Sequence, residues 1–117
     1  MKKILVVNND YDTMTLLQAW LEKKGYAVKI TGNASGVLSL INEFRPDLVL
    51  VDVLQNKVID EINKEIGNQV PILLMTGYTL RKHTKHFQVA DSIEKPFDLA
   101  LLERKIKDLI IAHETVQ

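Results

Sequence analysis

Short apolar runs rich in β-branched residues alternate along this chain with longer amphipathic stretches, and that alternation limits the fold more than any single motif. Ile4-Leu5-Val6-Val7 and Leu48-Val49-Leu50-Val51 are the clearest runs. Neither shows polar alternation, so each reads as a strand buried on both faces. Ala27 to Ile30, Pro71 to Met75 and Val89 to Ile93 read as three more strands, the last of them poor. Between them lie stretches with apolar residues three and four apart. Thr13 to Lys24 carries Leu16, Leu17, Trp20 and Leu21; Asp10 or Asp12 can cap its start and Gly25 can close its end. Asn33 can cap a second helix with Val37, Leu38, Leu40 and Ile41, which stops before Pro46. Ile59, Ile62 and Ile66 mark a short third helix ended by Gly67, and Leu80 to about Gln88 a polar fourth. Asp98 caps the last, with Leu102, Ile106, Leu109 and Ile110 on one face.

Five β-α units of this kind predict an α/β fold: a parallel sheet with helices on both faces, joined by right-handed crossovers. A chain of 117 residues fits one such domain, spanning 1–117. It has no cysteine, which excludes disulfides and thiolate metal sites and suits a reducing cytoplasm. Fifteen basic residues balance fifteen acidic ones, so net charge gives no reason to expect nucleic acid or an anionic membrane as a partner. The apolar run before Asn8 is too short for a signal peptide core or a membrane span.

In parallel sheets chemistry gathers at the carboxyl ends of the strands. The residues there are Asn8, Asn9, Asp52, Thr76 and Lys95. Together they suit phosphoryl transfer: Asp52 a carboxylate nucleophile, Thr76 a hydroxyl for a phosphoryl oxygen, Lys95 a cation, with Gly77 leaving room for an anion.

The ordered set Lys3-Ile4-Leu5-Val6-Val7-Asn8-Asn9-Asp10, Pro46-Asp47-Leu48-Val49-Leu50-Val51-Asp52, Val70 to Tyr78 and Glu94-Lys95-Pro96-Phe97-Asp98 resembles a response-regulator receiver domain over nearly its whole length. The resemblance implies a flavodoxin-like (βα)5 receiver with strand order 2-1-3-4-5. It implies that Asp52 accepts a phosphoryl group from a sensor histidine kinase or phosphotransfer protein. By the same resemblance Thr76 follows the phosphoryl group, Lys95 is the family lysine, and the Lys95-Pro96 bond is a candidate for cis. A face built from the fourth helix, fifth strand and fifth helix would engage a downstream protein. The module would act in signalling rather than as an enzyme.

The pattern breaks where the family binds Mg²⁺. Its two acidic residues after the first strand are here Asn8 and Asn9. The remaining metal set is Asn9, Asp52, the Leu54 backbone carbonyl and, through water, Asn8, all weak ligands for a hard cation. Mg²⁺ is therefore expected to be held weakly or not at all, with Lys95 drawn onto Asp52 instead. Asp10 is expected to cap the first helix rather than replace the lost carboxylates. The Pro-Gly turn usual after the acceptor is missing from Val53-Leu54-Gln55-Asn56-Lys57, and Ser92 stands where many receivers carry an aromatic switch. These departures support a rival reading: a pseudo-receiver used as a phosphorylation-independent interaction module.

The other readings are weaker. Asp52-Val53-Leu54 lacks the Asp-x-Asp of haloacid-dehalogenase-like phosphatases, and Asn8 to Thr13 lacks the Ser/Thr/Gly-rich loop of a flavin binder. His83 and His86 share a helix face but have no third ligand near in sequence, and His113 is unremarkable. Ile110-Ile111 is more apolar than one helix face requires, which fits either a homodimer contact or a packed C-terminal helix.

Overall fold

The computed structural model describes residues 1–8, 10–32, 34–52, 64, 69–76 and 90–116. The expected third and fourth helices, His83 and His86 among their residues, lie outside that set apart from Lys64, which is helical and exposed. So do the expected cap Asn33 and the site positions Asn9, Leu54 and Gly77.

Five strands form one sheet in the order β2-β1-β3-β4-β5, every neighbouring pair parallel. They are β1 (Lys3–Val7), β2 (Ala27–Thr31), β3 (Leu48–Asp52), β4 (Ile72–Thr76) and β5 (Asp91–Glu94). The described helices are α1 (Tyr11–Lys23), α2 (Ala34–Phe44) and a C-terminal helix (Leu99–Val116). Every residue of β3 is buried, as its unbroken apolar run requires of a strand covered on both sides.

Strand alternation sorts the core into two layers. Ile4, Val6, Leu48, Leu50, Leu73, Met75 and Ile93 meet Met14, Leu17 and Leu21 of α1 and Leu102, Ile106 and Ile110 of the C-terminal helix. Leu5, Val7, Val49, Val51, Ile72 and Leu74 meet Val37 and Ile41 of α2 on the other side.

Several sequence boundaries move. The fifth strand runs Asp91–Glu94, not Val89 to Ile93. It is an edge strand with only Ile93 fully buried, so Asp91, Ser92 and Glu94 need no apolar side chains, and the hydropathy signal is correspondingly poor. Leu16 does not belong to the buried stripe of α1: it is 69% exposed, while Met14, Leu17 and Leu21, three and four apart, carry the contact. Trp20 is partly buried against that core, as expected. Ile110 is buried and Ile111 is 59% exposed, so the pair straddles the edge of the C-terminal helix's packed face.

α1 starts at Tyr11 because Asp10 caps it. The Asp10 backbone is extended, and its carboxylate accepts from the Asp12 N–H at 3.2 Å and the Thr13 hydroxyl at 2.5 Å. The helix ends at Gly25, whose φ of +98° is a conformation that favours glycine, with its N–H donating to the Glu22 carbonyl at 3.0 Å.

The Thr13 hydroxyl bond is the main influence holding the Asp10 carboxyl below its ordinary value; desolvation opposes it, and the Thr13 and Asp12 N–H groups and the Lys95 charge add to the lowering. A carboxylate depressed by folding stabilises above its unfolded value of 3.8 and loses that contribution as pH falls through the lower folded value. Asp10→Ala is thus expected to melt below the parent chain at pH 7. The gap should narrow as pH drops below 3.8, measured by thermal denaturation followed by circular dichroism.

Candidate functional site

Register brings the site together before any side-chain contact is considered. Val7 lies opposite Val51, so Asn8 and Asp52 are neighbours at the carboxyl edge of β1 and β3. Asp52 lies opposite Met75, and Met75 opposite Ile93, two residues before Lys95. Val7 and Val51 belong to the α2 layer. Alternation therefore turns Asn8 and Asp52 to the opposite side of the sheet, above Val6 and Leu50, where α1 and the C-terminal helix pack.

Asp52 is 3% exposed and Asn8 1%, and they are the buried polar residues among those described. Burying a carboxylate is costly unless it is paired. Lys95 supplies the pair: its Nζ donates to Asp52 Oδ2 in a close ion pair, with the lysine side chain still 37% exposed. One partner is thus fixed in the floor of the site while the other reaches in from the rim. The Lys95-Pro96 peptide that carries the lysine out of β5 is cis, as the resemblance implied.

Asn8 is committed differently from what a ligand role requires. Its Oδ1 accepts the Asp10 backbone N–H at 2.8 Å, an Asx turn that leads β1 into α1. The signal for this is present in sequence, since an Asn two residues before a helix cap is a turn former; the expectation for Asn8 was a weak, water-mediated metal contact in place of a lost carboxylate. Asp10 remains on its capping duty, as expected. Thr76 closes β4 in register with Glu94; the structure does not describe its side chain.

The fit of these residues to Mg²⁺ is poor. Mg²⁺ favours charged oxygens. Asp52 is already paired with Lys95, and the Asn8 oxygen is taken by a backbone donor. No cluster of three His, Asp or Glu side chains able to hold a metal exists among the described residues.

On β5, Ser92 is half-buried and its N–H donates to Asp91 Oδ1 at 2.7 Å. Asp91 also holds Lys105 of the C-terminal helix at 2.9 Å. Ser92, Phe97, Leu101 and Lys105 line a cleft of about 320 Å³ between β5 and the C-terminal helix.

The model of the response regulator receiver domain family matches residues 4–107. The chain belongs to that family. Receiver domains are signalling modules in two-component systems; accepting a phosphoryl group, switching, and working with histidine kinases or phosphotransfer proteins are general to them, as is Mg²⁺ binding. Sporulation initiation phosphotransferase F of Bacillus subtilis is 27% identical over 113 residues, covering 91% of each chain. Transcription factor SKN7 of Saccharomyces cerevisiae is 29% identical over 92% of this chain, yet the match spans only 19% of that protein. The nitrogen assimilation regulatory protein NtrX of Azorhizobium caulinodans is 30% identical, over 95% of this chain and 27% of its own length.

Solved structures agree on the receiver fold. A response regulator receiver domain protein from Clostridium thermocellum superposes with a TM-score of 0.88 at 20% identity, covering both chains completely. A CheY-like receiver domain protein from Methanospirillum hungatei also gives 0.88, at 23% identity over 100% of this receiver and 99% of that chain. No helix among the described residues is long and apolar enough to cross a membrane.

Proposed function

We propose that this receiver accepts a phosphoryl group on Asp52 from a histidine kinase or phosphotransfer protein and thereby changes which protein it binds. The observation that carries this reading is the Asp52–Lys95 pair: a carboxylate 4% exposed at the end of the central strand, held by a lysine that reaches in from the rim. An Asp52 oxygen attacks phosphorus, the bond to the donor's leaving group breaks, and the product is an acyl phosphate. Lys95 moves from the carboxylate to the phosphoryl oxygens and offsets their charge. Thr76, at the end of β4, is the hydroxyl donor to the same group in this reading, and Gly77 follows it in sequence without a side chain.

The 117 residues act as one receiver unit in the cytoplasm, with no direct contact to nucleic acid or membrane. The downstream protein meets the face of the fourth helix, β5 and the C-terminal helix, with Ser92 and Lys105 lining a cleft on it. The exposed Ile111 on the C-terminal helix is available for a homodimer contact. Mg²⁺ is bound weakly or not at all, because the expected set of Asn9, the Leu54 carbonyl, Asp52 and a water on Asn8 contains one carboxylate, and that one is paired with Lys95. The chain catalyses no reaction on an independent substrate.

A second reading, a pseudo-receiver that binds partners without phosphorylation, draws on the engagement of Asn8 with the Asp10 N–H. Incubation with a small phosphodonor, followed by intact-mass measurement, separates the two. The phosphoacceptor reading expects a gain of one phosphoryl mass that Asp52→Ala abolishes. An unmodified parent chain, with and without Mg²⁺, selects the pseudo-receiver.

A further inference from the structure

The Asn8 carboxamide has a fixed orientation. A backbone N–H can donate to its oxygen but not to its nitrogen, so the bond from the Asp10 N–H at 2.8 Å identifies the oxygen and leaves Nδ2 as the other terminal atom. An aspartate here would make the same turn with one oxygen and keep a second, anionic oxygen where Nδ2 stands. The amide therefore does more than delete a charge. It exchanges an acceptor for a donor at a buried position beside Asp52. A donor at that position repels a cation and attracts an oxyanion. Lys95 adds a second donor, already within the site.

Resting on the reading of Asp52 as the acceptor, we propose that this site takes its phosphoryl group without a divalent cation, with Asn8 Nδ2 and Lys95 Nζ donating to the phosphoryl oxygens. The charge balance supports it. Asp52 and Lys95 cancel in the resting pair, so an incoming phosphoryl group does not meet the surplus negative charge that a three-carboxylate pocket needs a metal to offset. With phosphoramidate as donor, the Asp52 oxygen forms the new bond to phosphorus as the P–N bond breaks. The bonding pair goes to nitrogen, which leaves as ammonia from the N-protonated donor.

The test follows the rate of mass gain from phosphoramidate, in EDTA and in Mg²⁺, for the full chain and for Asn8→Asp. The substitution preserves the acceptor for the Asp10 N–H and reverses the other terminal atom. The parent chain is expected to react at rates within about two-fold in the two buffers, whereas a transfer that depends on the metal differs by about ten-fold or more. Asn8→Asp is expected to lose about 100-fold in EDTA, the effect of removing one donor to the reacting group, and to regain rate with Mg²⁺. A parent chain that reacts only with Mg²⁺ overturns the proposal, and so does an EDTA rate that Asn8→Asp leaves unchanged. A parent chain that reacts in neither buffer overturns the acceptor reading itself. Should Asn8→Asp not fold, as judged by circular dichroism, NMR of the parent chain decides: saturable Mg²⁺ shifts at Asn8 and Asp52 in the low millimolar range contradict the proposal, and their absence supports it.

Discussion

Replacing Lys95 by Met is expected to lower unfolding free energy by about 2–3 kcal/mol, the cost of leaving a buried carboxylate without its cation. Asp52→Asn, acting on the other half of the same pair, should cost no more than about 1 kcal/mol. The asymmetry follows from exposure. The Asp52 side chain is 4% exposed and has little water to turn to, whereas the Lys95 side chain is 37% exposed and can return its ammonium to solvent. Urea denaturation of the two variants at pH 7 checks this. Equal losses would mean that both partners are equally buried in solution, against the rim position of Lys95.

Leu50→Ala should cost about 3–4 kcal/mol, the range for emptying a fully buried leucine site. Leu50 is 0% exposed on the central strand and belongs to the cluster that joins α1 and the C-terminal helix to the sheet. Leu16→Ala should change stability by no more than about 0.5 kcal/mol, because Leu16 on α1 is 69% exposed. The two substitutions remove the same atoms, so the difference isolates burial. Denaturant midpoints at unchanged slope provide the measurement.

The strands covered on both faces were legible because burial on two sides demands unbroken apolar runs, as in Leu48 to Val51. β5 was legible only in outline. An edge strand with one core residue, Ile93, carries too little hydrophobicity to set its ends, and its true span is fixed by pairing with β4, which no local pattern shows. The same limit explains Leu16: the period marked a helix, but which three leucine-type positions face inward depends on how the helix lies on the sheet. Asp52 and Lys95 were legible from their places after strand runs, and the structure joins them. Asn8 was read by what it lacks. Its actual commitment, an oxygen held by the Asp10 N–H, depends on the turn geometry between β1 and α1, which residue identity alone does not show.

Phosphorylation is expected on Asp52 and on no other residue. Tandem mass spectrometry of the chain after treatment with a small phosphodonor locates the added group directly. The account predicts a single phosphoryl group on Asp52, lost in Asp52→Asn. A phosphoryl group on His83, His86 or His113, or a chain left unmodified both with Mg²⁺ and in EDTA, would contradict it.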